Sequence, residues 1–171
     1  MDDAIGVVMS YDKNNNLIGT GSCFCVDPSG IFYSSYRYLK NAHHSEVRLG
    51  NGEIYKINKI TGVSETKDLI KFQVKKIGSK DLPFLEIEKK ETKKGSDAVT
   101  IIPPYNANIM DRYAQGYIYG IYSDDITGAE RFKVSKNLAV FNSGNPVINA
   151  YGRVIGITSQ SRPSYTFRVT C

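Results

Sequence analysis

The chain of 171 residues predicts an all-β fold, either a barrel or a sandwich. Three observations carry that expectation. Short β-like runs recur from end to end, separated by turn signals. Apolar residues fall on every second position in EIYKINKI (Glu53–Ile60) and LIKFQV (Leu69–Val74), the period of a half-buried strand. Only Tyr36–His44 reads as a possible helical turn.

Taken in order, the predicted strands are Ala4–Tyr11, Leu17–Val26, Ile31–Ser34, Glu46–Leu49, Glu53–Ile60 and Leu69–Val74. Phe84–Ile87, Ala98–Ile102, Gln115–Ser123 and Arg131–Ser135 follow, and then Val147–Ile148, Arg153–Ser159 and Tyr165–Val169. Asp27-Pro-Ser-Gly30, Gly50-Asn-Gly52 and Asn149-Ala-Tyr-Gly152 are the turns between them, Asn-Gly being the strongest short hairpin signal. No Pro-rich or Gly/Ser-rich linker, low-complexity tract or repeat divides the chain. The two halves hold similar numbers of strands, which allows two barrels packed together.

Composition excludes several classes. At 41% hydrophobic and 23% charged residues the chain is ordinary globular protein rather than long disorder. The longest apolar runs resemble AIGVVM (Ala4–Met9), far below the roughly 20 residues that span a bilayer. The start, MDDAIGVV, is acidic, so no signal peptide is expected. The net charge of +5 raises a nucleic-acid reading, but the lysines alternate with acids in LEIEKKETKKG (Leu85–Gly95) and no RNA- or DNA-binding motif accompanies them. Three cysteines form no even disulfide framework, which leans towards a reducing, cytoplasmic compartment. Cys23 and Cys25 read as buried free thiols on one strand face. His43 and His44 read as a surface pair in a turn. With Cys23 and Cys25 they lack the spacing of a zinc site, so no metal and no cofactor are expected.

The segment FNSGNPVINAYGRVIGITS (Phe141–Ser159) carries the most chemical information. It resembles the nucleophile region of trypsin-like serine proteases, G-[DN]-S-G-G-P followed by an apolar strand, a turn and G-x-[VL]-[IV]-G-[IV]. Ser143 takes the nucleophile position, with Asn142, Gly144 and Pro146 matching around it. GTGSCFCVDPSGIFYSSYRYLKNA (Gly19–Ala42) resembles the stretch that carries the base in bacterial trypsin-like peptidases, including the HtrA/Deg family. ETKDLIKFQV (Glu65–Val74) resembles their acid-bearing strand and puts Asp68 at the acid position. The order base, acid, nucleophile is the chymotrypsin-type order. Separations of 31 residues (Arg37 to Asp68) and 75 residues (Asp68 to Ser143) suit the compact bacterial members. The resemblance implies two packed six-stranded β-barrels of the trypsin/chymotrypsin type. It makes residues 1–171 a single domain with lobes of approximately 1–90 and 91–171.

The departures from the family are as informative as the matches. Arg37 stands where the family has its catalytic histidine. A guanidinium has no free lone pair and stays protonated at every physiological pH, so it cannot take the serine proton. Loss of a triad histidine costs on the order of 10⁶ in turnover. Phe141 replaces the glycine whose N–H joins that of Ser143 in the oxyanion hole, and Asn145 replaces the second glycine of S-G-G-P. The expectation is a catalytically inactive homologue in which Arg37 bridges to Asp68 and partly fills the space above Ser143.

As a binding module such a fold would hold an extended peptide or a protein segment. By resemblance the specificity pocket lies near Asn137 and Ala139, and the pairing edge near Thr158, Ser159, Gln160 and Ser161. Twelve tyrosines suit a binding surface. Two other readings stay open: a working endopeptidase with an unrecognised or partner-supplied base, and a purely structural docking domain.

Overall fold

The computed structural model describes residues 1–103, 112–123, 125, 128, 130–135, 143–159 and 165–169. The first six strands are β1 (Ile5–Tyr11), β2 (Leu17–Asp27), β3 (Ile31–Ser35), β4 (His44–Leu49), β5 (Ile54–Ser64) and β6 (Leu69–Val74). They close into a barrel in the order β1-β2-β3-β6-β5-β4. A second barrel, in the order β10-β11-β12-β9-β8-β7, uses β7 (Asp97–Ile101), β8 (Tyr113–Ser123), β9 (Glu130–Val134), β10 (Pro146–Ile148), β11 (Val154–Thr158) and β12 (Tyr165–Arg168). The expected pair of six-stranded barrels is therefore what the chain forms. Single 3₁₀ turns lie at Asp2–Ala4 and Tyr36–Tyr38, the latter inside the stretch read as a helical turn.

Side-chain acceptors close the turns. At the β1–β2 turn Asp12 Oδ1 accepts from the N–H groups of Asn14 (2.8 Å) and Asn16 (2.9 Å). At the β2–β3 turn Asp27 Oδ1 accepts from Ser29 N (2.8 Å). At the β10–β11 turn Asn149 Oδ1 accepts from Tyr151 N and Arg153 N, both at 3.0 Å. Each is the local bond that makes Asp and Asn turn formers.

The first barrel is filled by Ile5, Val8, Phe24, Phe32, Val47 and Phe72, none with measurable exposure. The Phe32 and Phe72 rings stack at 5.7 Å between centroids. This cluster continues into the second barrel through Ile101, Ile148, Val154, Ile157 and Val169. Ile118, Phe132, Val147 and Ile155 belong to a smaller core of the second barrel alone.

One predicted strand is absent. Phe84–Ile87 makes only an isolated parallel bridge, Ile87 to Val154, because each barrel already closes on six strands and offers it no ladder. It runs instead as the connection between the barrels. β5 extends beyond its predicted end at Ile60 to Ser64, carrying register shifts at Ile57/Lys59 and Ile60/Gly62. Bulges of that kind break the strict alternation by which a strand is recognised.

Cys23 and Cys25 are buried and unpaired. Burial pushes both thiols up, Cys25 to about 12 and Cys23 further. The thiolate is the reactive form. In a Cys171→Ser variant, Ellman's reagent near pH 8 is expected to titrate neither thiol until denaturant unfolds the chain. Rapid reaction of either in the folded protein would contradict their placement.

Candidate functional site

The base and acid positions meet at the end of β3. Leaving Ser35 in extended conformation, the chain enters the 3₁₀ turn Tyr36–Tyr38, which points Arg37 at the residue preceding β6. Asp68 Oδ1 accepts from the main-chain N–H of Arg37 at 2.8 Å and Oδ2 from its Nε at 2.7 Å. The Ser35 hydroxyl also donates to Oδ2. Behind the carboxylate, Tyr36 N donates to the Asp68 carbonyl oxygen (3.1 Å) and Asp68 N to that of Glu65 (3.0 Å). Asp68 itself lies in the left-handed region at φ +52°, which an aspartate tolerates better than a branched residue would. Arg37 thus grips the carboxylate with one side-chain and one main-chain nitrogen, rather than with the two guanidinium nitrogens of a fork.

The nucleophile position lies across the seam between the barrels. Ser143 is buried, and its carbonyl oxygen accepts from Ser22 N of β2 at 3.4 Å. Gly144 follows at φ +89°. Any Cβ there would overlap the Ser22 carbonyl oxygen and stand 3.2 Å from Ser35 N, so only glycine fits this approach. β11 holds the turn from the other side. Gly144 N donates to Thr158 O (3.0 Å), Asn145 N to Thr158 Oγ1 (3.1 Å), and Thr158 N to Asn145 O (3.0 Å).

The side chain that reaches Ser143 is one the sequence reading missed. Tyr38 accepts the Ser143 N–H on its hydroxyl at 3.3 Å. Its ring lies against Gly21 so closely that a Cβ on that glycine would stand inside the ring. Ser35, the second hydrogen-bond donor to Asp68, was also missed. Two serines and two tyrosines crowd SSYRY around Arg37, but nothing local marks which of them turns to Asp68 and which to Ser143.

Of the other predicted positions, Thr158 and Ser159 are both buried. Thr158 already uses its N–H and its carbonyl on Asn145 and Gly144, and pairs with Thr166 of β12. Asn137, Ala139, Phe141, Asn142, Gln160 and Ser161 lie outside the described residues. His44 stacks on Tyr11 at 5.0 Å, His43 meets it edge-on at 6.0 Å, and His43 N donates to Tyr11 O at 2.8 Å. Among the described residues no group of three or more His, Cys, Asp or Glu could hold a metal, and no helix is long and apolar enough to cross a membrane.

Residues 21–157, most of the chain and all three key positions, match the trypsin-like peptidase domain. The chain belongs to the trypsin-like peptidase family. Two curated proteins are similar across nearly all of this trypsin-like domain. The anti-sigma-I factor RsgI9 of Acetivibrio thermocellus is 26% identical over 159 residues, which cover 93% of this chain and 22% of that protein. The serine protease Do-like HtrB of Bacillus subtilis is 28% identical over 182 residues, covering 91% of this chain and 38% of that protein. The chain therefore spans only about a fifth to two fifths of the lengths of these relatives.

Two stability predictions follow from the geometry. Gly144→Ala combines a left-handed backbone with overlap on Ser22, and is expected to cost about 3 kcal/mol or more in urea unfolding. Gly52→Ala, at φ +88° in open space, should cost only about 1 kcal/mol. Equal losses would show that Gly144 is not pressed against β2. The Arg37 side chain is 36% exposed, so Arg37→Ala should cost no more than about 1 kcal/mol after solvent screening. Asp68→Ala removes the acceptor of three hydrogen bonds and should cost about 2 kcal/mol. The reverse ranking would contradict this reading of the pair.

Proposed function

We propose that this trypsin-like domain is a pseudoprotease, inactive as a peptidase and used to bind a peptide or protein segment. The observation that carries the reading is Arg37 on Asp68 at 2.7 Å. The carboxylate that would orient a histidine is engaged by a group that cannot accept a proton. Tyr38 supports the same conclusion. An oxyanion donor is worth about 10²–10³ in rate, and the Ser143 N–H that would serve is held by a phenol oxygen. Ser143 then acts as a turn residue at the seam.

Residues 1–171 would form one unit with lobes of approximately 1–90 and 91–171, a division consistent with an apolar cluster shared by both barrels. The ligand would lie in the former substrate cleft, near Asn137 and Ala139. Thr158 is already bonded on both sides, so strand-like pairing would start beyond Ser159, at Gln160 and Ser161. One relative is named a serine protease and the other an anti-sigma factor, which fits use of this fold in more than one role.

A fluorophosphonate probe tests the inactivity. The wild-type protein should stay unlabelled, and Arg37→His alone should stay unlabelled too, because Tyr38 still takes the Ser143 N–H. Stoichiometric labelling of Ser143 in the wild type would overturn the proposal. For the binding role, a displayed peptide library should yield sequences whose capture is lost in Asn137→Arg. Enrichment unaffected by that change would remove the cleft as the site.

A further inference from the structure

We propose a second binding site, at the opposite end of β3 from Ser35, that takes an acidic peptide carrying bulky apolar side chains. A cleft of about 610 Å³ opens there between the end of β2, Lys71 of β6 and the connection Phe84–Lys90. That volume lies within the range of ligand pockets. Ile31 and Ser35 bound β3, so the cleft stands roughly 13 Å along the strand from the Asp68 site. The proposal is independent of whether the former active site binds anything.

The floor is apolar, formed by Val26, Ile31, Phe84 and Ile87. Phe84 remains 44% exposed, a large aromatic surface left to water. Seven charged side chains ring this floor, and they divide sharply by partner. The three acids are answered within the protein. Glu86 pairs with Arg153 at 3.3 Å, and Asp27 accepts from Ser29 N. Glu88 accepts from Asn149 Nδ2 (2.8 Å) and Lys90 N (2.9 Å), with Arg153 at 3.9 Å. The lysines are answered less: Lys71 is near enough to help lower the Asp27 carboxyl but forms no ion pair with it. Lys71 Nζ stands over the Tyr33 ring at 5.6 Å, and no carboxylate lies within ion-pair distance of Lys71, Lys89 or Lys90 among the described residues. The positive charge of Lys89 and Lys90 beside an apolar floor complements a ligand that is both acidic and hydrophobic.

The main chain favours a peptide over a lipid or a nucleic acid. Val154 takes the carbonyl of Glu86 and the N–H of Glu88, on one side of the connection. In extended chain the intervening residue points its groups the other way. The N–H and C=O of Ile87 have no partner among the described residues, so they offer one step of strand pairing to an added segment. Glu86 and Glu88 at the rim would repel a phosphate surface, whereas a short peptide can place its acids on the lysine side alone.

The test uses a dye-labelled synthetic peptide in which Glu and Asp alternate with Leu and Phe, followed by fluorescence anisotropy. The wild-type protein should bind it, more weakly as salt is raised. The double variant Lys89→Glu/Lys90→Glu, at exposed positions, should weaken binding at least about tenfold, and Phe84→Ser several-fold. Arg37→Ala, at the former active site, and Asn137→Arg, at the position proposed for its specificity pocket, should leave it unchanged. The proposal is overturned if the peptide does not bind, if a version with Lys in place of its acids binds equally, or if the Lys89/Lys90 variant binds as well as wild type. It also fails if Arg37→Ala or Asn137→Arg weakens binding as much, which would assign the peptide to the old cleft. Anionic vesicles binding in place of the peptide would overturn it in favour of a lipid surface.

Discussion

The geometry of the site depends on one close approach, the Gly144 main chain against the Ser22 carbonyl oxygen. Two barrels that each close on themselves have no ladder in common, so their relative position must be set by contacts at the seam. Gly144 supplies a close one because it has no side chain and can take φ +89°. β2 is itself braced there, since the Ser34 hydroxyl donates to the Ser22 carbonyl oxygen at 2.7 Å. With three hydrogen bonds from β11 on the other side, the Ser143–Asn145 turn is pinned to both barrels. That fastening brings Gly144, next to Ser143, against Ser35, and Ser35 is bonded to Asp68. The seam thus holds Ser143, Ser35, Arg37 and Asp68 on connected main chain.

Electrostatics explain why an arginine suits position 37. The Asp68 side chain is only 14% exposed, so a nearby counter-charge favours its carboxylate, by no more than about 1 kcal/mol once solvent screening at Arg37 is counted. A neutral replacement at position 37 would leave two main-chain and hydroxyl donors around the charge but no counter-charge. Arg37 supplies the counter-charge from a stem that still reaches water, so its own desolvation is small. Its main-chain N–H would meet the carboxylate with any non-proline residue at that position.

The strands were legible where the pattern is local. β-like runs between turn signals located β1, β2 and β3 to within a residue or so, alternation located β6, and Asp, Asn and Gly marked the turns. Closure into two barrels was not legible from periodicity, because it is made by pairs such as β1 with β4 and β7 with β10. It came from resemblance to a family. Phe84–Ile87 misled for the opposite reason: its local pattern suits a strand, but whether a strand forms depends on a free neighbour. At the site, Arg37, Asp68 and Ser143 could be found because each sits in a contiguous motif. Tyr38 could not, although it adjoins Arg37. Its role rests on Gly21 in β2 and on Ser143, which is 105 residues away along the chain.

Tyr38 also bears on how the two losses relate. A buried main-chain N–H needs an acceptor, and Ser143 is fully buried. In a working peptidase that acceptor is the developing oxyanion, so the donor must stay open for substrate. On the pseudoprotease reading, the absence of a base means no oxyanion develops, and an open donor is only an unsatisfied polar group. A hydroxyl placed there then stabilises the fold by about 1 kcal/mol at no catalytic cost. Base and oxyanion donor act as a unit, so their losses do not multiply. Once Arg37 is in place, the Tyr38 contact is close to neutral for activity and favourable for stability. Restoring a base to this fold would give it a proton acceptor but no open oxyanion donor, because Tyr38 would still be held by Gly21's missing side chain and by the hydrogen bond it accepts.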